Sequence, residues 1–546
     1  MNRLENNYLM NVLFSFTDQF ALFLSAWIIF SLWAGYTIGI TWMIPLATII
    51  FVFCLHHFKK KWVDGNSAAI TFDFSPHSFH AMILLTLFLV ATLGYVFFGV
   101  QGGYDLSADA TPSAAGKLIQ TTIPATYAPY FDVPFFYQPG VPLLISQLHQ
   151  VTGLPFHAGG WLLGVLGIIL LVYAITRLAI WTSGKKEALF FAAALLIGAR
   201  LIFVDLFVGE YPLLLGLGLS FTAILSLRDR PVMSAILFAG AGITHPYVAG
   251  ILFGFALFLH RPTITTILRV SIIGFVAVLP LLVFMFLPAL LSGGSTPLEH
   301  SLSVESFLRT ILPLVVFLGV VPIVSILVLG MRMPAAFRGN LFLPRAGILA
   351  ALGVLLYVIL ANFFPVLLLH SKFLEAGALF TIIFAAAALS RATPARIIVF
   401  VLLAVLLIGF FINFTSNDLT RLAHGSKTGI REAAFSEWFS RVEPLPERTI
   451  FFARGPGKMA QYSNKIPVDA TSANFTLALH LFSRNPAAQY YLSETTIVRE
   501  AVEKGCFSCV EKIPYHYLVV DTRLYALPNG MTPDYWHDDF AVFIKR

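Results

Sequence analysis

The chain has 546 residues, of which 58% are hydrophobic and only 12% charged, with a mean hydropathy of +0.82. A soluble domain carries roughly twice that share of charge, so a soluble globular protein is excluded and a polytopic membrane protein remains. The net charge of +7 does not argue for nucleic acid, because the basic excess sits in short loops between apolar runs.

The first eleven residues, MNRLENNYLMN, are polar and lead into apolar sequence with no small-residue cleavage site, which predicts an uncleaved anchor. A span needs about 20 mostly apolar residues. Runs that meet this description, or approach it, fall at 14–34, 37–55, 79–100, 158–178, 188–207, 211–227, 231–245, 247–260, 266–291, 306–330, 346–365, 373–390 and 396–414. The expectation is therefore an α-helical protein of about thirteen spans. The pair at 231–260 is short in both halves and reads equally as a hairpin broken at Thr244-His245-Pro246.

Alternate loops differ in charge. HHFKKK (56–61), RLAIWTSGKK (177–186), LRDR (227–230), HRPTITTILR (260–269), MRMPAAFRGNLFLPR (331–345) and SRATPAR (390–396) are rich in Lys and Arg. The intervening loops, including DLFVGEY (205–211), SGGSTPLEHSLSVES (292–306) and NFFPVLLLHSK (362–372), contain no Arg. This asymmetry predicts a multi-pass plasma-membrane protein with a cytoplasmic N-terminus and an external C-terminus.

One external loop, 101–157, is far longer than a connector needs to be. It carries Asp105, Asp109 and Asp132. Thr111-Pro112 reads as a helix start and Val141-Pro142 as a second, stopped by Gly153. Both are predicted to lie in the membrane interface.

The charge density changes at the end of the chain: residues 415–546 hold 29 of the 63 charged residues. Three units follow from this: two N-terminal spans with a cytoplasmic loop (1–78), a transmembrane unit (79–414), and a small extracytoplasmic α/β domain (415–546). Strands are predicted at 448–454, 515–521 and 540–546, with a helix over 493–505 opened by Ser493 and stopped by Gly505. Cys506 and Cys509 stand three apart in this external tail, where a disulfide is expected. Cys54 lies in an apolar run and reads as packing.

Several polar residues suggest chemistry. Asp105 and Asp109 read either as solvated loop acids, one of them near a helix cap, or as a general base or metal ligand. Asp205 and Glu210 in the next external turn read either as loop acids or as oxygen ligands for a divalent cation, magnesium or manganese. Arg200 lies about five residues inside an apolar run, where a charge requires a partner: a phosphate, or Asp205 or Glu210. His245 reads as a cap, a packed core residue or a ligand. His370 and Lys372 either snorkel to the interface or, with Arg200, hold an anionic group.

Taken together, DLSADATPSA (105–114), FFYQPGVPLL (135–144), GEYPLLLGLGL (209–219), ITHPY (243–247) and HSKFLEAG (370–377) resemble elements of the GT-C class of membrane glycosyltransferases. That class includes protein O-mannosyltransferases, aminoarabinose lipid A transferases and single-chain oligosaccharyltransferases. The resemblance implies a GT-C-like fold and a polyprenyl-phosphate sugar as donor. It implies a glycan, lipid or protein acceptor, and inversion at the sugar carbon. Asp109 takes the place of the class's catalytic loop acid, with Asp105 beside it. Glu210 takes that of the second-loop acid, sharing a metal with Asp109. Arg200 and Lys372 would bind the lipid phosphate, with His370, His245 and Tyr137 as further substrate-binding candidates. Gln138 stands where the class commonly has Pro, two spans precede the one that leads into the motif loop where the class commonly has that one alone, and the tail motif Trp-Trp-Asp-x-Gly is absent. A secondary transporter and a non-catalytic scaffold with an external sensor domain are the alternatives.

The loop charges make a direct prediction. Reporter fusions placed after Lys61 and after Asp418 should report opposite compartments. The same compartment for both would remove the assignment of sides.

Overall fold

The computed structural model describes residues 2–62, 76–104, 111–119, 121–128, 131–198, 205–206, 209–292, 341–363, 370–390, 429–453, 456–468, 479–480, 482–527 and 530–545. The runs expected at 306–330 and 396–414 lie outside these residues. The other eleven correspond to helices. They are α1 (Asn2–Tyr36), α2 (Met43–Trp62), α3 (Pro76–Tyr95, extended by a π turn to Val100), α6 (Phe156–Ser183), α7 (Ala188–Gly198), α8 (Tyr211–Ser226), α9 (Pro231–Thr244), α10 (Pro246–His260), α11 (Ile264–Leu281, continuing to Ser292), α12 (Phe342–Phe363) and α13 (His370–Leu389). Among the described residues five helices are both long and apolar enough to cross a membrane. The α9–α10 pair, 14 and 15 residues long, is broken at His245.

The two loop helices form where the turn signals place them. α4 spans Thr111–Leu118 and α5 spans Gly140–Thr152, capped by Gly153 in the left-handed conformation with φ of 73°. Both are covered by protein. Thr111 to Gly116 and Gly140 to Gln147 are buried, and α5 packs against α1, α4 and α6. The reason is in their second faces. Ser113, Ala114, Gly116, Gly140 and Ser146 are small enough for other helices to cover. Their polar neighbours are satisfied internally: Ser146 donates to the Ile119 carbonyl, Trp27 donates to Gln147, and Gln147 donates to Ser31 at 2.8 Å.

α1 is fixed to the bundle by charge as well as packing. Asp18 is buried and accepts from Arg177 of α6 at 2.5 Å and from Arg230, just before α9, at 2.6 Å. A carboxylate in apolar surroundings persists only when paired in this way.

Between α4 and α5 two short strands, β1 (Thr126–Tyr127) and β2 (Phe131–Pro134), pair antiparallel. The tail is an α/β domain. Its sheet has strand order β4–β3–β5–β7–β6, made of β3 (Arg448–Phe452), β4 (Ile466–Pro467), β5 (Tyr517–Asp521), β6 (Tyr535–His537) and β7 (Phe540–Ile544). β3 pairs in parallel with β4 and β5, while β7 runs antiparallel to β5 and β6. β5 is buried throughout, as a central strand between two cores must be. The helix expected from Ser493 begins earlier, at Pro486. Asn485 caps it by accepting from Ala487, and Gly505 stops it at φ of 62°. Cys506 and Cys509 are joined in a disulfide just beyond.

The tail does not hang free. Tyr104, at the end of the third span, donates to Glu437 at 3.1 Å and meets Tyr462 edge-on, and His157 meets the same ring. Phe136 of the long loop meets Phe482, and Leu479, Phe482 and Ala488 belong to the same apolar core as the helical bundle.

Two outcomes follow from these contacts. Asp18→Ala leaves two arginines with no carboxylate partner and should lower stability by about 3–5 kcal/mol, read as a fall in melting temperature. Within the tail, Glu443 accepts from Tyr535 at 2.6 Å and from Tyr517 at 2.7 Å, and these bonds hold its carboxyl below the usual range. A depressed carboxyl contributes stability above its unfolded value, and that contribution is lost as pH falls through the folded value. The protection factors of the Tyr517–Asp521 amides, which allow for the slower intrinsic exchange in acid, should therefore fall on acidification below about pH 4.3, and Glu443→Gln should flatten that fall.

Candidate functional site

Five chain segments meet beside the broken α9–α10 turn. The first is the start of α13. Lys372 and Glu375 stand three apart, hence on one helical face, and their side chains form an ion pair of 3.1 Å. The second is the turn before α8. Gly209, at φ of 93°, folds the chain back so that the amides of Gly209 and Glu210 donate to the Asp205 carbonyl at 3.1 and 2.8 Å. Glu210 then stands at the N-cap of α8, with Pro212 in its first turn.

The third segment is the break itself. His245 is buried and extended, and its Nδ1 accepts from the Val248 amide at 3.4 Å, capping α10. Gly216 of α8 makes room for it, since a Cβ there would sit 3.0 Å from the His245 Cβ.

The fourth segment is the Tyr-Gln-Pro-Gly element. Tyr137 is buried, and Gly140 rests on Thr244, where a Cβ would lie 2.7 Å from its hydroxyl. The fifth is α4. Ser113 and the Tyr211 ring flank Gly160 of α6 from two sides, at 3.1 and 3.0 Å from where a Cβ would be. The helix that follows the acidic loop thus ends up beside the residue next to Glu210.

The electrostatics are lopsided. Lys372 interacts with Glu375, Glu210 and Asp205, and also with His245. Asp205 and Glu375 are buried, and one oxygen of each, Oδ2 and Oε2, has no hydrogen-bond partner among the described residues. Among the described residues one ammonium faces three carboxylates in an apolar bundle. Such a site stabilises added positive charge or protons, or repels an anion unless a further cation joins it. Among the described residues no group of three His, Cys, Asp or Glu is arranged to hold a metal ion.

Asp105, Asp109 and Arg200 lie outside the described residues. Of the other sequence candidates, Glu210, Lys372, His245 and Tyr137 fall within this neighbourhood, and His370 opens the helix that carries Lys372. Lys372 is engaged by Glu375, a partner outside the sequence candidates. Glu375 was passed over in the sequence. Its signal was present in the three-residue spacing from Lys372 within HSKFLEAG.

The chain is similar to the crystal structure of ArnT from Cupriavidus metallidurans bound to undecaprenyl phosphate, at 13% sequence identity and a TM-score of 0.46. The likeness covers 84% of this chain and 97% of that one. No family model matches the chain. No curated protein matches it either.

Lys372→Met would leave Asp205 and Glu375 buried without their cation. It should lower the melting temperature sharply, by the equivalent of about 3–5 kcal/mol. Asp205→Asn in the same chain should recover part of that loss, because it removes one of the stranded charges. Additive losses in the double variant would mean that the two side chains do not share a site.

Proposed function

We propose that this protein is a membrane glycosyltransferase. It moves a sugar from a polyprenyl-phosphate donor to a glycan, lipid or protein acceptor at the extracytoplasmic face, with inversion at the sugar carbon. The observation that carries this reading is the convergence just described. Four motif segments far apart in sequence meet in direct packing around Tyr211 and His245, and the Lys372–Glu375 pair joins them through its charge.

In this reaction the acceptor hydroxyl oxygen bonds to the anomeric carbon while the bond from that carbon to the phosphate oxygen breaks. The hydroxyl proton passes to Asp109, and the lipid phosphate leaves with the bonding electrons. Asp109 follows from its place in the acidic loop two residues before α4, with Asp105 as a lesser neighbour. Lys372, with Arg200, holds the lipid phosphate, and the carboxylates around Lys372 keep its ammonium charged and fixed. A divalent cation, magnesium or manganese, would be held by Glu210 together with Asp109 and would neutralise charge on the leaving phosphate. His245, His370 and Tyr137 line the substrate side. Positioning and electrostatics would supply most of the catalysis.

The test is release of polyprenyl phosphate by purified protein from a panel of polyprenyl-phosphate sugars. Asp109→Asn should reduce transfer by roughly two to four orders of magnitude, as loss of a general base does, with melting unchanged. Asp105→Asn should cost less.

A transporter is the second reading, favoured by the broken α9–α10 pair beside buried ionisable groups. Solute flux in proteoliposomes without any transfer would select it.

A further inference from the structure

The opposite end of the bundle carries a second cluster. Trp181 near the end of α6, His260 at the end of α10 and Phe342 at the start of α12 form an aromatic floor. Trp181 stacks on His260 with centroids 5.0 Å apart and meets Phe342 at 3.9 Å. Three arginines from three helix ends gather around it. Arg345 lies 5.8 Å over Phe342 and donates to the Leu259 carbonyl at 2.7 Å, which closes the C-terminus of α10. Arg261, two residues on, holds a left-handed conformation at φ of 49° and is close enough to repel Arg345. Arg228 and Arg345 both act on the His260 ring.

Arg345 touches the floor directly, and the exposed Arg228 and Arg261 add like charge at its edge, an arrangement that favours an anion. Among the described residues the acid ion-paired at this end is Asp18, and its partners are Arg177 and Arg230, not these three. Asp229, beside Arg228, forms no ion pair with them. The rim is apolar: Ile264, Leu268 and Leu341 are exposed around the cluster, as they would be against acyl chains. Aromatic rings with arginines at helix ends are the arrangement of a membrane–water boundary.

We propose that Arg228, Arg261 and Arg345, over the Trp181–His260–Phe342 floor, form a binding site for the phosphate headgroup of an anionic membrane lipid. The guanidiniums engage the phosphodiester by charge-assisted hydrogen bonds, and the acyl chains lie along the exposed apolar rim. The site is independent of the reaction proposed above, since it lies at the other end of the helices.

Full-length protein in nanodiscs tests this. Thermal stability and lipid retention are compared in phosphatidylcholine alone and with phosphatidylglycerol added. The wild type should retain phosphatidylglycerol preferentially. R261Q and R345Q should each lose about fivefold of that preference, from the contribution of one basic residue near a charged membrane surface. R345Q also removes a helix-end hydrogen bond, so the exposed R261Q and R228Q variants carry the decision if it fails to fold. A K185Q/K186Q control removes two other basic charges from the loop after α6, and should keep the preference. Equal loss in that control would overturn the proposal in favour of general surface charge. Inorganic phosphate reproducing the stabilisation in phosphatidylcholine alone would overturn the lipid assignment in favour of a free-anion site.

Discussion

The structure depends on how an apolar helical bundle accommodates charge. With water excluded, an ionised side chain persists only where a counter-charge or hydrogen-bond donor reaches it. Asp18 meets this condition with two arginines from separate segments, so that one carboxylate ties α1 to α6 and to the start of α9. At the other end Lys372 meets three acids and pairs with only one of them closely. In the first arrangement both carboxylate oxygens are engaged. Among the described residues the second carries excess acidity and carboxylate oxygens without a hydrogen-bond partner.

Bringing such groups together requires backbones to approach closely, and small residues allow it. Gly140 against Thr244, Gly160 and Gly164 against Tyr211, Gly216 against His245 and Gly353 against Gly377 all sit where a methyl group would collide with a neighbouring side chain or backbone. Helix association in lipid draws little from the hydrophobic effect, so van der Waals contact between small-residue faces carries much of it. The site and the bundle are thus built by the same contacts. The tail extends this assembly, because aromatic residues of the long loop and of the third span pack directly on its helices.

Much of this was legible in the sequence by itself. Eleven apolar runs coincide with helices, since about 20 apolar residues have few other options near lipid. Thr111-Pro112, Gly153 and Gly505 mark helix ends because caps are local chemistry. The three expected strands of the tail appear within a residue or two of their sequence limits. Glu210, Lys372 and His245 could be singled out because each is a polar residue at the edge of an apolar run.

Only the tertiary structure decided the rest. Burial of α4 and α5 depends on small residues finding partners far along the chain, and an amphipathic pattern cannot distinguish a helix covered by protein from one lying on lipid. The edge strands β4 and β6, two and three residues long, are too short to leave a period and exist because a neighbouring strand is present. The role of Glu375 depends on Lys372 turning toward Asp205 and Glu210, which lie more than 150 positions earlier in the chain. Composition and local pattern set which residues must be buried, capped or exposed. Which buried charge meets which partner is a property of three-dimensional packing, because electrostatic pairing acts through space and leaves no period in the sequence.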